Sequence, residues 1–192
     1  MEISTELKVS NYSKFKHYLK NLITEEKTDA LLNRIPEDTL MNASFAMNEN
    51  TGLAYDGSLI KTCLDIAQYA VKINELLPDD NQVGKSSIYK VAMLQHIAKA
   101  TMYVKNDNDW EVKNRGIRYK FSNSGATLRC GERSVLIAMS AGVLFTEEEF
   151  EAMRVIDKIN EGDDTVRWYG TTLSMIIRQA NEIINNINKV SE

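Results

Sequence analysis

The stretch Ser86-Ser87-Ile88-Tyr89-Lys90-Val91-Ala92-Met93-Leu94-Gln95-His96-Ile97-Ala98-Lys99-Ala100-Thr101-Met102-Tyr103-Val104 decides the fold class. Ile88, Val91, Ala92, Leu94, Ile97 and Ala98 recur at helical spacing, and the interior of the segment is nearly all apolar. A surface helix needs one apolar stripe. A helix that is apolar on most sides is one that other helices surround. The stretch therefore predicts a central, buried helix, with the rest of the chain arranged to cover it.

Working outward, Ser58 to Leu77 repeats the pattern with Leu59, Cys63, Ile66, Ala70 and Ile73 on one stripe, and Pro78 breaks it. Before it, Thr39 to Gly57 loses periodicity. Asn42, Asn48, Asn50, Gly52 and Gly57 read as a long loop leading into the core. Ser13 to Leu32 reads as a polar helix with apolar points at Phe15, Leu19, Leu22 and Ile23, and Pro36 ends that region. Residues 1–40 are thus expected to be an N-terminal helical extension packed on the core, and 41–192 the main helical domain.

Downstream, Trp110-Glu111-Val112 and Ile117-Arg118-Tyr119-Lys120-Phe121 alternate on either side of Asn114-Arg115-Gly116. That pattern predicts a short β-hairpin. Helices resume over Arg129–Ser140 and stop at Gly142. Thr146 with Glu149 three residues on is a capping box, opening a helix to Lys158. Asn160 to Asp164 reads as a loop. The last helix, Thr171 to Val190, carries Leu173, Ile176, Ile177, Ala180, Ile183, Ile184 and Ile187. The expected architecture is a single all-α globular domain with a short β-hairpin insertion.

Composition narrows the function classes. The 192 residues carry 23 basic and 27 acidic side chains, a net charge of −4, so the chain is not a general nucleic-acid binder. No apolar run approaches the roughly 18 residues of a membrane span, which predicts a soluble, cytoplasmic protein with no membrane partner. Cys63 and Cys130 lie far apart and form no CxxC pair. They read as two buried free thiols, not a zinc ribbon or a disulfide scaffold. Only two histidines occur, His17 and His96, which excludes any site built on three imidazoles. His17 lies between Lys16 and Lys20 on a polar helix and reads as solvated.

Four segments in order resemble the HD-domain phosphohydrolases. Gly57-Ser58-Leu59-Ile60-Lys61-Thr62 resembles the family's "GxLxEH" helix start, and Val91 to Ala100 resembles its "vaLLHDIGKa" helix. Cys130-Gly131-Glu132-Arg133-Ser134-Val135 is similar to the "HGExSv" turn. Ile176 to Asn181 is similar to the closing "ilrxAD" helix. The resemblance spans roughly Tyr55 to Asn188. It extends to HD-like proteins carried by bacteriophages of gut bacteria and by their hosts. A phage accessory or virion-associated role, in host cytoplasm or virion, is the setting it implies.

The family holds divalent metals through histidines and carboxylates at fixed motif positions. Those positions here carry Thr62, Gln95, His96, Cys130, Ile156 and Asn181. His96 stands in the aspartate's place. Threonine, glutamine and asparagine offer only neutral oxygens, whereas a hard divalent cation needs anionic oxygens or several imidazoles. Without the metal there is no activated water, so the resemblance implies a degenerate scaffold with no metal, no cofactor and no catalytic residue.

Such a protein would act by binding. Lys99, which matches the lysine of the motif, together with Arg133 could hold a nucleotide or other phosphate-type anion without metal. Glu132 belongs to the same vestigial set. A protein partner or homo-oligomer is the other mode of binding. Two alternatives stay open: a phosphohydrolase with a non-standard site using His96, Cys130, Asn181 and Asp157, and a purely structural subunit. A bland reading of His96 also stands, as a core histidine bonded to Gln95 or Asn181. Residues 105–133 hold seven basic and four acidic side chains. There Trp110, Lys113, Arg115, Arg118, Tyr119 and Lys120 form a basic–aromatic group. It fits either a stacking surface for nucleotides or a solvated hairpin whose rings pack inward.

Overall fold

The structure, a computed structural model, describes residues 3–122, 128–159 (side chains as far as Ile156) and 170–190. Helices α1 (Thr5–Ile23), α2 (Glu25–Leu32), α3 (Glu37–Asn42), α4 (Ser58–Glu75) and α5 (Lys85–Leu94) lead the chain. Then follow α6 (Lys99–Met102), β1 (Tyr103–Lys105), α7 (Asp109–Arg115), β2 (Tyr119–Phe121), α8 (Cys130–Ser140), α9 (Glu147–Ile159) and α10 (Thr172–Asn188). The fold is mostly helical with one small antiparallel sheet.

Helix α5 is the surrounded element: α1, α4, α8, α9 and α10 all pack against it. Ile88, Val91, Ala92, Met93 and Leu94 are buried as its apolar interior requires. One contiguous core joins Phe15 and Leu19 of α1, Ile66 of α4, Val135 of α8, Met153 of α9 and Ile177 of α10. Residues 1–40 therefore share the hydrophobic core of the remainder. No helix among the described residues is long and apolar enough to cross a membrane.

Three expectations are corrected. The helix read over Ser86–Val104 ends at Leu94. Beyond it the Ala98 N–H bonds Ser134 Oγ at 3.1 Å, across to α8. The backbone continues in tight turns, with Lys99 N–H on His96 O and Ala100 N–H on Ile97 O. This tertiary bond diverts an amide that a regular helix would use, and the chain leaves the core as β1. The polar helix read over Ser13–Leu32 begins at Thr5 and breaks at Thr24. Thr24 holds φ 78° and ψ 158°, a region that β-branched residues rarely enter. The loop read over Thr39–Gly57 is partly helical, with the end of α3 and a 3-10 turn at Glu49–Thr51.

The sheet is present, but its strands differ from the reading. Trp110–Val112 belong to α7, whose start is capped by Asn108 Oδ1 accepting from the Trp110 and Glu111 amides at 3.1 and 3.3 Å. Gly116 ends α7 at φ 64°, the left-handed conformation that closes helices. Strand β2 pairs instead with β1, in the register Tyr103↔Phe121, Val104↔Lys120 and Lys105↔Tyr119. Alternation is a local signal and cannot name the partner strand.

The remaining helices match closely. Helix α8 begins one residue after the expected start. The capping box of α9 is formed, with Thr146 N–H on Glu149 Oε2 (3.0 Å) and Glu149 N–H on Thr146 Oγ1 (3.2 Å). Gly142 follows α8 at φ 81°. The loop read at Asn160–Asp164 and the Asp157 side chain lie outside the described residues.

Candidate functional site

Helix α10 carries Asn181 to the turn that follows α5. Its Nδ2 donates to Ile177 O at 2.8 Å and to Gln95 Oε1 at 3.2 Å. A carbonyl can only accept, so the Ile177 bond fixes which end of the amide faces which way. Asn181 Oδ1 then lies 2.8 Å from His96 Nε2, and that nitrogen must carry the proton. The His96 Nδ1 lone pair and the Gln95 Nε2 amide are left without a protein partner. Gln95 cannot relieve this by flipping, because its amide nitrogen would then face the Asn181 donor.

All three residues are buried. Burial first, and then the nearby Lys99 ammonium, hold the His96 imidazole well below its ordinary value, against an opposing pull from Asn181. The ring is therefore neutral at pH 7. It packs edge-on against Phe45 with centroids 4.6 Å apart. Lys99, one helical turn on, donates to Phe45 O at 2.8 Å and sits 3.6 Å from the centroid of the Phe45 ring.

On one side of this relay lies a cavity of about 300 Å³. His96, Lys99, Ile156 and Asn181 line it, joined by Phe45 and the 46–53 loop, Tyr103, Asn185 and Lys189. No carboxylate is among the described residues of this lining. Sequence reading missed Phe45, Asn185 and Lys189. The last two follow Asn181 at intervals of four, so the helical period of α10 carried their signal.

The other vestigial positions do not reach this cavity. Thr62 is buried on α4 with its hydroxyl unpartnered by any protein group. Cys130 is half-buried, not fully buried as read, and its Sγ lies 3.9 Å from Gln95 O. Cys63 is the buried thiol, and burial pushes it up to about 12, far from thiolate reactivity. Glu132 Oε2 accepts from the Arg129 amide at the start of α8, and Oε1 accepts from Arg154 Nη2. Arg133 does not line the cavity, so the expected pairing of Lys99 with Arg133 is replaced by Lys99 with Lys189.

No protein-family model, curated protein or solved structure matches the chain.

The described donor set does not fit a divalent cation. The one imidazole spends Nε2 on Asn181 and sits beside an ammonium. Among the described residues, no three His, Cys, Asp or Glu side chains converge. Among the described residues the cavity is lined by two lysines, three asparagines and two aromatic walls.

The basic–aromatic group divides. The Tyr119 hydroxyl is buried and donates to Asp56 Oδ1 at 2.6 Å, and Lys120 pairs with Asp107. Trp110 is exposed. Lys113, Arg115 and Arg118 line a separate, larger cleft, where Arg118 pairs with Glu49 at 2.8 Å. His17 is exposed and lies 3.1 Å from Asn21 Nδ2.

Proposed function

We propose that the chain is a non-catalytic, HD-like protein that binds a nucleotide-type anion in the cavity beside His96. The observation that carries this reading is the lining itself. Lys99 and Lys189 meet at a concave site with no carboxylate among its described residues, inside a chain whose net charge is −4. Two lysines at one concave site favour an anionic ligand, and the walls exclude part of the water that would screen it. The amides of Asn50 and Asn185 supply neutral hydrogen-bonding groups, and Phe45 and Tyr103 supply flat apolar surface. The His96–Asn181–Gln95 relay stands where the resemblance places metal ligands. It replaces ionic chemistry by a neutral network.

The test is metal-free. In EDTA, mono-, di-, tri- and cyclic nucleotides are titrated at low salt by fluorescence and thermal shift. At least one is expected to bind, with affinity falling as salt rises. Lys189→Gln is expected to weaken it about fivefold to tenfold, the loss of one charge-assisted contact. Absence of binding by all of them would overturn the reading. Hydrolysis of bis-p-nitrophenyl phosphate with manganese would favour the phosphohydrolase alternative.

A further inference from the structure

The larger cleft, about 780 Å³, is walled by the 48–55 loop, the end of α7 with the following turn to Arg118, and the end of α10. Its floor is knit by backbone bonds: Glu49 N–H to Gly116 O at 2.9 Å, Arg118 N–H to Met47 O at 2.9 Å, and Val190 N–H to Asn50 O at 3.0 Å. These bonds hold the walls in place before any ligand arrives. Arg118 is neutralised by Glu49, which among the described lining residues leaves Lys113 and Arg115 to set the sign of the cleft. Arg115 reaches only a loose contact with Glu111 at 3.8 Å.

Apolar surface stands beside these cations. Ile187 and Val190 line the cleft and are 60% and 58% exposed. Trp110, 62% exposed, shares a face of α7 with the lining residues Lys113 and Asn114, at positions i, i+3 and i+4. Asn114 and Asn188 spend their NH₂ groups on Trp110 O and Ile184 O, which keeps each side-chain carbonyl as an acceptor.

We infer that this cleft docks a peptide segment of a partner protein in which an acidic residue lies within a few positions of a large apolar one. The carboxylate would meet Lys113 and Arg115. The apolar side chain would cover Ile187, Val190 and Trp110, and peptide N–H groups would donate to Asn114 and Asn188. Aliphatic rims favour a peptide over a nucleic-acid strand, whose bases ask for flat stacking surfaces. A bare inorganic anion would leave the aliphatic and indole surface uncovered. The inference does not depend on the cavity beside His96.

The probe is a random twelve-residue peptide library selected on the full chain, and the best peptide is then measured as a fluorescein conjugate by anisotropy. Selected sequences are expected to pair Asp or Glu with Leu, Ile, Val, Phe or Trp. The Lys113→Gln/Arg115→Gln double variant should bind the conjugate about tenfold more weakly. Both side chains are exposed, so an unchanged thermal melt verifies the fold of the variant. Val190→Ser should weaken binding as well, while Lys189→Gln should not. A consensus without acidic residues, or an affinity that the double variant leaves unchanged, would overturn the inference. Tight binding of fluorescein-labelled oligo-dT that is lost in the same variant would assign the cleft to single-stranded nucleic acid instead.

Discussion

Asn181 Oδ1 accepts the His96 Nε2 proton at 2.8 Å, joining two residues 85 positions apart at the centre of the helical core. Through its other two bonds Asn181 also donates to Gln95 Oε1 and Ile177 O. One amide side chain thus ties α10 to the turn where α5 ends. Replacing it with alanine leaves the His96 donor and the Gln95 acceptor buried and unpaired. Asn181→Ala should cost about 1–3 kcal/mol in urea unfolding. A loss below experimental error would show that the relay contributes nothing.

The same relay sets a pH dependence. His96 titrates near 6.5 when unfolded and well below that when folded. Between those two values the unfolded chain binds one more proton. This contribution is complete above about pH 6.5 and is lost as pH falls towards the folded value, at up to about 1.4 kcal/mol per pH unit. Unfolding free energies measured from pH 7.5 to pH 5 should show this slope. His96→Gln should flatten it relative to the native chain.

Gly52 at φ 68° lets the 48–54 loop touch the end of α10. A Cβ there would lie 1.9 Å from Asn188 O. Gly52→Ala combines backbone strain with that clash, so it should destabilise by more than about 1 kcal/mol. It also displaces the residue next to Lys189. Nucleotide affinity should therefore fall even at temperatures where the variant remains folded, as read by titration well below its melting point.

Lys90 and Glu149 are paired at 2.6 Å with side chains 17% and 4% exposed, and Lys90 also donates to Leu144 O. Lys90→Met strips a buried carboxylate of its cation and should cost about 3 kcal/mol, nearly independent of salt. Lys85→Ala breaks a pair with Glu75 whose side chains are both more than half exposed, and should cost under about 1 kcal/mol. Parallel urea curves at low and high salt separate the two cases.

The legibility of the fold follows the range of the interaction involved. The stripe on α4, the capping box of α9 and the seam of α10 as far as Ile184 are written within a few residues, and the structure follows them; Ile187 at the end of the seam is exposed. The end of α5 could not be read that way, because the group that captures the Ala98 amide is Ser134, on another helix. Helix α7 is bracketed by Asn108 and Gly116 as caps, yet the alternation at Trp110–Val112 imitates a strand. The partner of β2 lies upstream at Tyr103–Lys105, which no local pattern names.

The candidate site divides along the same line. The sequence by itself determined which side chains stand at the motif positions. Thr62, Gln95 and Asn181 are neutral wherever the chain places them, and two histidines cannot supply an imidazole-rich site. Only the tertiary structure decided that Asn181, Gln95 and His96 bond one another. It also decided that Lys99 shares a cavity with Lys189 and not with Arg133, and that Lys113 and Arg115 open onto a different cleft. Chemical identity is a property of each residue alone, whereas a cavity is the space left when distant segments pack. Its lining is set by how α10, the 45–53 loop and the turn after α5 meet.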